Sequence, residues 1–219
     1  MNSSVRESAL LAGLGDDTVQ TLVAAAQTRR LGPNVMLIAE GQRANHIFLI
    51  KKGNARFYRV TRTGEDITLL WLAPGDIVGL GSLLAQPNYL ASAETMSLCE
   101  LLVWNRARIR SFAAVHPKIL ENGMGVSVEY LRNSLQRHAD LATVPPEIRI
   151  ARSLLHLADK IGRVHGAGIE IDVNNERLGS LSDVSRFTAS RVLAGWARSG
   201  RVSKQRGRVI LHAPDALIQ

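Results

Sequence analysis

One cysteine, Cys99, stands in a chain of 219 residues, which excludes an internal disulfide and any iron–sulfur cluster held by four cysteines of one chain. No apolar run reaches membrane-spanning length, and Met1-Asn2-Ser3-Ser4 lacks the charged-then-apolar order of a secretory leader. A cytoplasmic protein with no membrane partner is expected. Carboxylates are scarce: 19 Asp and Glu face 27 Lys and Arg, and the basic region lacks the clustered acids a nuclease needs for metal. A phosphate-cradling P-loop is missing, and Gly79-Leu80-Gly81 is too short and wrongly placed for a dinucleotide fingerprint. Histidines at 46, 116, 138, 156, 165 and 212 show no metal-binding spacing. Internal repeats and low-complexity tracts are absent as well. The chain is not expected to be an enzyme.

What is present is cationic. The formal charge of +8 favours a polyanionic partner without identifying it. The excess is denser towards the C-terminus: residues 147–219 carry twelve Lys and Arg against seven Asp and Glu, residues 1–146 fifteen against twelve. From Arg186 to Arg208 there are seven basic residues and no acidic one. That run begins inside Leu178-Gly179-Ser180-Leu181-Ser182-Asp183-Val184-Ser185-Arg186-Phe187-Thr188-Ala189-Ser190-Arg191-Val192-Leu193, which reads as helix, tight turn, helix. Leu178 and Leu181 give the first helix an apolar face, and Ser185 is a natural N-cap for the second. Val192 and Leu193 turn inward, while Arg186, Phe187, Ser190 and Arg191 project from the other face. A helix N-terminus with long side chains aimed outward is what the major groove of DNA requires.

The rest of the chain divides by texture. Leu10, Leu11, Leu14, Val19, Leu22 and Val23 recur at helical spacing, predicting helix over 5–30. Val35 to Trp104 breaks into short apolar runs with glycine turns: Ile47-Phe48-Leu49-Ile50 before Lys52-Gly53-Asn54, Phe57-Tyr58-Arg59-Val60 before Arg62-Thr63-Gly64-Glu65, then Ile67–Leu72, Ile77-Val78 and Leu98–Trp104. Such spacing predicts a β-sandwich or barrel. Helical texture returns from Trp104 to about Thr143. There Met124, Val128, Leu131, Leu135, His138 and Ala142 step by 4, 3, 4, 3, 4, the rhythm of a coiled-coil seam. A second copy of this helix is the expected partner, with packing against its own domain as the alternative. Pro145-Pro146 then ends the helix and marks a boundary and hinge. Beyond it come a helix over Ile148–Ile161, a turn with the short strand Ile169-Glu170-Ile171, the helix pair, and a hairpin from Val202 to Leu211 around Arg206-Gly207. A helix-turn-helix followed by a basic hairpin is a winged helix.

From about residue 10 to 212 the chain resembles the CRP/FNR family of bacterial transcription regulators. The landmarks are the Ile47–Gly53 strand and turn, Gly64, Pro74-Gly75-Asp76-Ile77-Val78-Gly79, the long helix and Ile150-Ala151-Arg152-Ser153-Leu154-Leu155. Ser185-Arg186-Phe187-Thr188-Ala189-Ser190-Arg191-Val192-Leu193 fits the family's Ser-Arg-Glu-Thr-x-x-Arg-x-Leu pattern at every stated position except Phe187. The resemblance implies an α+β chain: a jelly-roll sensor domain at 1–106, a dimerisation helix at 107–144 and a winged helix-turn-helix at 145–219. It implies a homodimer on a palindromic operator, with recognition helices one DNA turn (~34 Å) apart, and RNA polymerase as a further partner. Ser185, Arg186, Thr188, Ser190 and Arg191 become DNA-contact residues, Arg191 reading guanine. Lys204, Arg206 and Arg208 of the wing are expected on phosphates. Phe187 cannot accept a hydrogen bond from cytosine as the family glutamate does. It would pack on a thymine methyl, so the half-site should depart from TGTGA there, unless the ring wedges into its own domain.

The sensor half departs further. In cyclic-nucleotide-binding members a Gly-Glu pair and an Arg-Ser/Thr-Ala triplet hold ribose and phosphate; here the glutamate position is Leu80 and the triplet is Tyr89-Leu90-Ala91. No charge remains to cradle a phosphodiester, and Ser134 on the long helix cannot replace it. Cyclic AMP is therefore not the expected effector. The N-terminal cysteines of an iron–sulfur oxygen sensor are missing too. Pro87-Asn88-Tyr89-Leu90-Ala91-Ser92-Ala93 is similar to a stretch of dissimilatory nitrate-respiration regulators, which sense nitric oxide, so haem is the cofactor to test. Cys99 reads as a small buried hydrophobe, with redox sensing or metal or haem ligation as alternatives. His46 is a candidate haem ligand, and His138 would meet its copy across a dimer axis, a place for proton or metal sensitivity. An effector-independent DNA-binding regulator on the same fold is the competing expectation.

Overall fold

The computed structural model describes residues 3–64, 66–166 and 168–218, so Met1 and Asn2 of the leader reading and Glu65 of the turn reading lie outside it. Two compact units emerge, one from Met1–Arg59 with Leu70–Ser134, the other from Val60–Leu69 with Leu135–Gln219.

The strands up to Asn105 form two four-stranded sheets. One has β1 (Gln27–Leu31), β8 (Cys99–Asn105), β3 (His46–Lys52) and β6 (Ile77–Val78) in that order. The other has β2 (Met36–Ile38), β7 (Ser92–Thr95), β4 (Ala55–Val60) and β5 (Asp66–Leu72). The unbroken apolar run Ile47–Ile50 is explained by burial on both faces. Ile47 and Leu49, with Leu102 and Trp104 from the paired strand β8, join a core with the flanking helices. Phe48 and Ile50, with Leu101 and Val103, join a second core inside the barrel. The Trp104 indole N–H donates to the Leu22 carbonyl at 2.7 Å, tying the first core to the N-terminal helices.

Residues 5–30 are less helical than their leucine spacing predicts. They hold α1 (Ser3–Arg6), a 3-10 turn at Ala9–Leu11 and α2 (Asp16–Ala24), and from Gln27 the chain is strand. The strand escaped the pattern because Gln-Thr-Arg-Arg-Leu forms the mostly exposed edge β1, held by backbone pairing to β8 rather than by an apolar face. Helical texture after Trp104 resolves into α3 (Arg106–Val115) and α4 (Lys118–Thr143), with His116-Pro117 between them. At 26 residues, α4 is about 39 Å long.

In the C-terminal unit, α5 (Pro146–Ile161) starts with Pro146 in its first turn, where the missing N–H costs nothing. Its buried stripe is Ile150, Ala151, Leu154 and Leu157. α6 (Asn175–Leu181) and α7 (Arg186–Arg198) follow. A four-stranded sheet in the order β11 (Val202–Gln205), β12 (Arg208–Leu211), β10 (Gly168–Ile171), β9 (Arg163–His165) completes the winged helix. The fully exposed β9 is a second polar edge strand that periodicity does not reveal.

Candidate nucleic-acid interface

Local chemistry builds the reading helix. Asn174 caps α6 by accepting from the Arg177 N–H at 2.8 Å, and Ser185 caps α7 by accepting from the Thr188 N–H at 3.1 Å. Between them Asp183 takes a left-handed conformation, φ 53°. The helices approach so closely that a Cβ on Gly179 would lie 2.8 Å from the Val184 carbonyl, so only glycine fits there. Arg149 holds the turn, its guanidinium donating to the carbonyls of Ser182 and Asp183, each at 3.1 Å. Arg137 donates to the Asp183 carboxylate at 3.0 Å. Leu178, Leu181, Ala189, Leu193 and Trp196 are buried beneath, and the Trp196 indole donates to Glu147 at 2.9 Å.

The outward face carries Arg186, Phe187 and Arg191, all exposed, with Thr188 and Ser190 half-buried between them. Phe187 is 72% exposed, so it is not a wedge into its own core. The Arg186 guanidinium stacks 4.8 Å from the centre of the Phe187 ring. No acidic residue occupies the first turn of α7, leaving the positive end of the helix dipole unopposed for an anion. Beside this face a groove of about 560 Å³ is lined by Thr188, Arg191, Trp196, Ser199 and Arg201 together with Pro145–Glu147. Arg201 belongs to the acid-free run, but nothing in the sequence alone sets it beside Arg191.

The wing divides in two. Lys204 and Arg206 lie exposed at the β11–β12 tip. Arg208 is drawn sideways, its Nε 3.0 Å from Asp172 and its Nη1 3.5 Å from buried Glu170. Arg163 pairs with the same two carboxylates, and His165 Nδ1 lies 3.7 Å from Glu170.

The seam residues of α4 form an exposed apolar stripe, with Met124 69% and Leu135 62% exposed and Val128 and Leu131 between them. His138 is exposed one step further along. Within one chain the helix therefore leaves this face uncovered.

The four effector-pocket candidates go to different environments. Leu80 packs on the helix-side core, Tyr89 is buried in the barrel core, Leu90 is 83% exposed and Ser134 is exposed. Cys99 is buried; its thiol donates to the Asn54 carbonyl at 3.2 Å, and burial pushes its pKa up, away from the reactive thiolate. Among the described residues no group of three or more His, Cys, Asp or Glu is placed to hold a metal ion. Nor is any described helix long and apolar enough to cross a membrane.

Comparison with known proteins agrees with this geometry. Residues 28–116 match the cyclic nucleotide-binding domain and residues 148–219 the Crp-like helix-turn-helix domain. A CRP-like cAMP-activated global transcriptional regulator of Mycobacterium tuberculosis is 26% identical over 206 residues, covering 91% of this chain and 92% of its own. An anaerobic regulatory protein of Bacillus subtilis is 26% identical over 208 residues, covering 93% and 87%. The structure of a CRP-family transcriptional regulator from Thermus thermophilus superposes with a TM-score of 0.73 at 27% identity, over 86% of this chain and 94% of that one. The c-di-GMP responsive regulator of Xanthomonas campestris shares the fold, TM-score 0.77 at 20% identity, over 90% and 99%. With both domains matched in the same order as in these transcription regulators, which are not enzymes, the chain belongs to the CRP/FNR family.

Proposed function

We propose that this regulator binds a palindromic operator as a homodimer, paired through Met124, Val128, Leu131, Leu135 and His138, and that cyclic AMP does not control it. The acid-free outward face of α7 carries the reading: a capped helix N-terminus flanked by exposed Arg186, Phe187 and Arg191. Arg191 supplies a bidentate donor for guanine and Arg186 a phosphate or purine contact. Ser185, Thr188 and Ser190 are further DNA-contact residues, and Lys204 and Arg206 of the wing add sequence-independent phosphate contacts. Arg208 contributes less, because Asp172 and Glu170 already share its charge. On this reading RNA polymerase is the further partner and the cytoplasm the site of action.

The absence of control by cyclic AMP is supported by the fate of the triplet Tyr89-Leu90-Ala91. Tyr89 turns inward and Leu90 outward, and neither offers a cation to a phosphodiester. Selection of operators from random DNA tests the whole reading. An inverted repeat should emerge, with half-sites that depart from TGTGA where residue 187 reads. An unmodified TGTGA consensus would refute the role of Phe187, and recovery of no specific site would refute the regulator reading.

A further inference from the structure

Two tyrosines, one in the barrel core and one packed against it from α4, have their hydroxyls already engaged by the protein's own backbone. Tyr89 is 7% exposed; its hydroxyl donates to the His46 carbonyl at 2.9 Å and accepts from the His46 N–H at 3.1 Å. Its ring lies in space left open by Gly79, where a Cβ would stand 3.3 Å from Tyr89 Cε1 and 2.5 Å from the His46 carbonyl. Tyr130 enters from α4. Its ring meets Phe57 edge-on, centroids 5.9 Å apart, and its hydroxyl donates to the Ile77 carbonyl at 3.3 Å. Burial, with the Asp76 carboxylate adding to it, holds the Tyr130 phenol neutral at any physiological pH. Tyr89 belongs to the core that includes Phe48, Val78 and Val103, and the partly buried Tyr130 packs against that core.

We propose that Tyr89 and Tyr130 are the barrel's built-in occupants: they fill the interior that an effector would enter and pin α4 to the barrel, so that DNA binding proceeds without a diffusible ligand. The inference rests on the regulator reading above. A ligand entering here must displace aromatic rings and leave the His46 N–H and carbonyl without partners, at a desolvation cost. Haem meets the same obstacle, and Cys99, its candidate sulfur ligand, is occupied with Asn54. On α4, Tyr130 lies across the helix from the Met124–Leu135 stripe. Seating its ring fixes the rotation at which that stripe faces outward without a bound ligand.

The test uses the full chain and a fluorescent operator. Wild-type affinity should stay within about threefold on adding cyclic AMP, cyclic GMP or reduced haem with nitric oxide, since none binds either state better. Tyr130→Ala should lower affinity about tenfold or more by reducing the competent fraction, and phenol, which fits the vacated space, should recover much of the loss. Tyr130→Phe keeps the ring and should bind as wild type, whether or not the alanine variant folds. Direct uptake is followed separately by calorimetry and Soret absorbance. Stoichiometric binding of any of these compounds with a change in operator affinity would overturn the proposal, as would a folded, dimeric Tyr130→Ala of unchanged affinity or a weakened Tyr130→Phe. Wild type that binds no operator under any condition fails the regulator reading instead, while the uptake measurements still decide whether the barrel is filled.

Discussion

The outward face of α7 and the interior of the barrel spend their polar groups in opposite ways. On α7, Arg186 and Arg191 extend into solvent, and the cap at Ser185 satisfies the helix while leaving the guanidinium groups for a partner. In the barrel, the hydroxyls of Tyr89 and Tyr130 are consumed by the backbone of β3 and β6. A group that serves a partner must be exposed and preorganised; a group bonded internally and buried serves the fold. Under the proposals above, the family template keeps its DNA-reading end in working form and turns its sensing end into core.

If that contrast is right, the largest effect comes from neither end but from the stripe that joins two copies. Leu135→Lys places like charges at the seam and should leave a monomer. Operator affinity should fall about a hundred- to ten-thousandfold as the second half-site is lost to avidity. Sedimentation and anisotropy check both parts. A dimer that binds normally would break the seam assignment and remove the geometric link between α4 and the operator.

Arg191→Ala comes next. A bidentate guanine contact is worth about 1–3 kcal/mol of discrimination at each half-site. The variant should therefore lose roughly this amount on the selected operator and much less on DNA mutated at that guanine. Binding assays on the two DNAs make the comparison. Equal losses on both would mean that Arg191 acts only as a phosphate contact.

Short-range signals made the reading head legible in the sequence. Ser185 as an N-cap and the spacing of Leu178 and Leu181 both act within a few residues, so their outcome follows from order in the chain. The α4 stripe was legible for the same reason. What escaped was set by distance or by the lack of a side-chain pattern. β1 is a polar edge defined by its pairing with β8, some seventy residues away, and β9 is another. Tyr89 at the family's arginine position leads to the expectation that a phosphate cradle is gone, but not that the hydroxyl would be claimed by His46, 43 residues earlier. Loss of a motif announces what a site no longer does; only the fold shows what replaced it.

The wing offers the finest version of the comparison, within one hairpin. Lys204, Arg206 and Arg208 look alike in the sequence, yet Arg208 is held by Asp172 and Glu170 as the tyrosines are held by backbone, while the other two lie exposed at the tip. Each phosphate contact contributes about 0.9 to the slope of log affinity against log salt. Lys204→Ala and Arg206→Ala should each flatten the slope by about that amount per subunit. Arg208→Ala should leave it nearly unchanged. It should instead lower stability by about 0.5 kcal/mol, because Glu170 keeps Arg163 nearby and the lost pair is half exposed. Salt titrations and thermal melts of the three variants separate the two behaviours. A full loss of slope in Arg208→Ala would show that DNA pulls this arginine away from its carboxylates, and that an internally paired cation is still available to a strong enough partner.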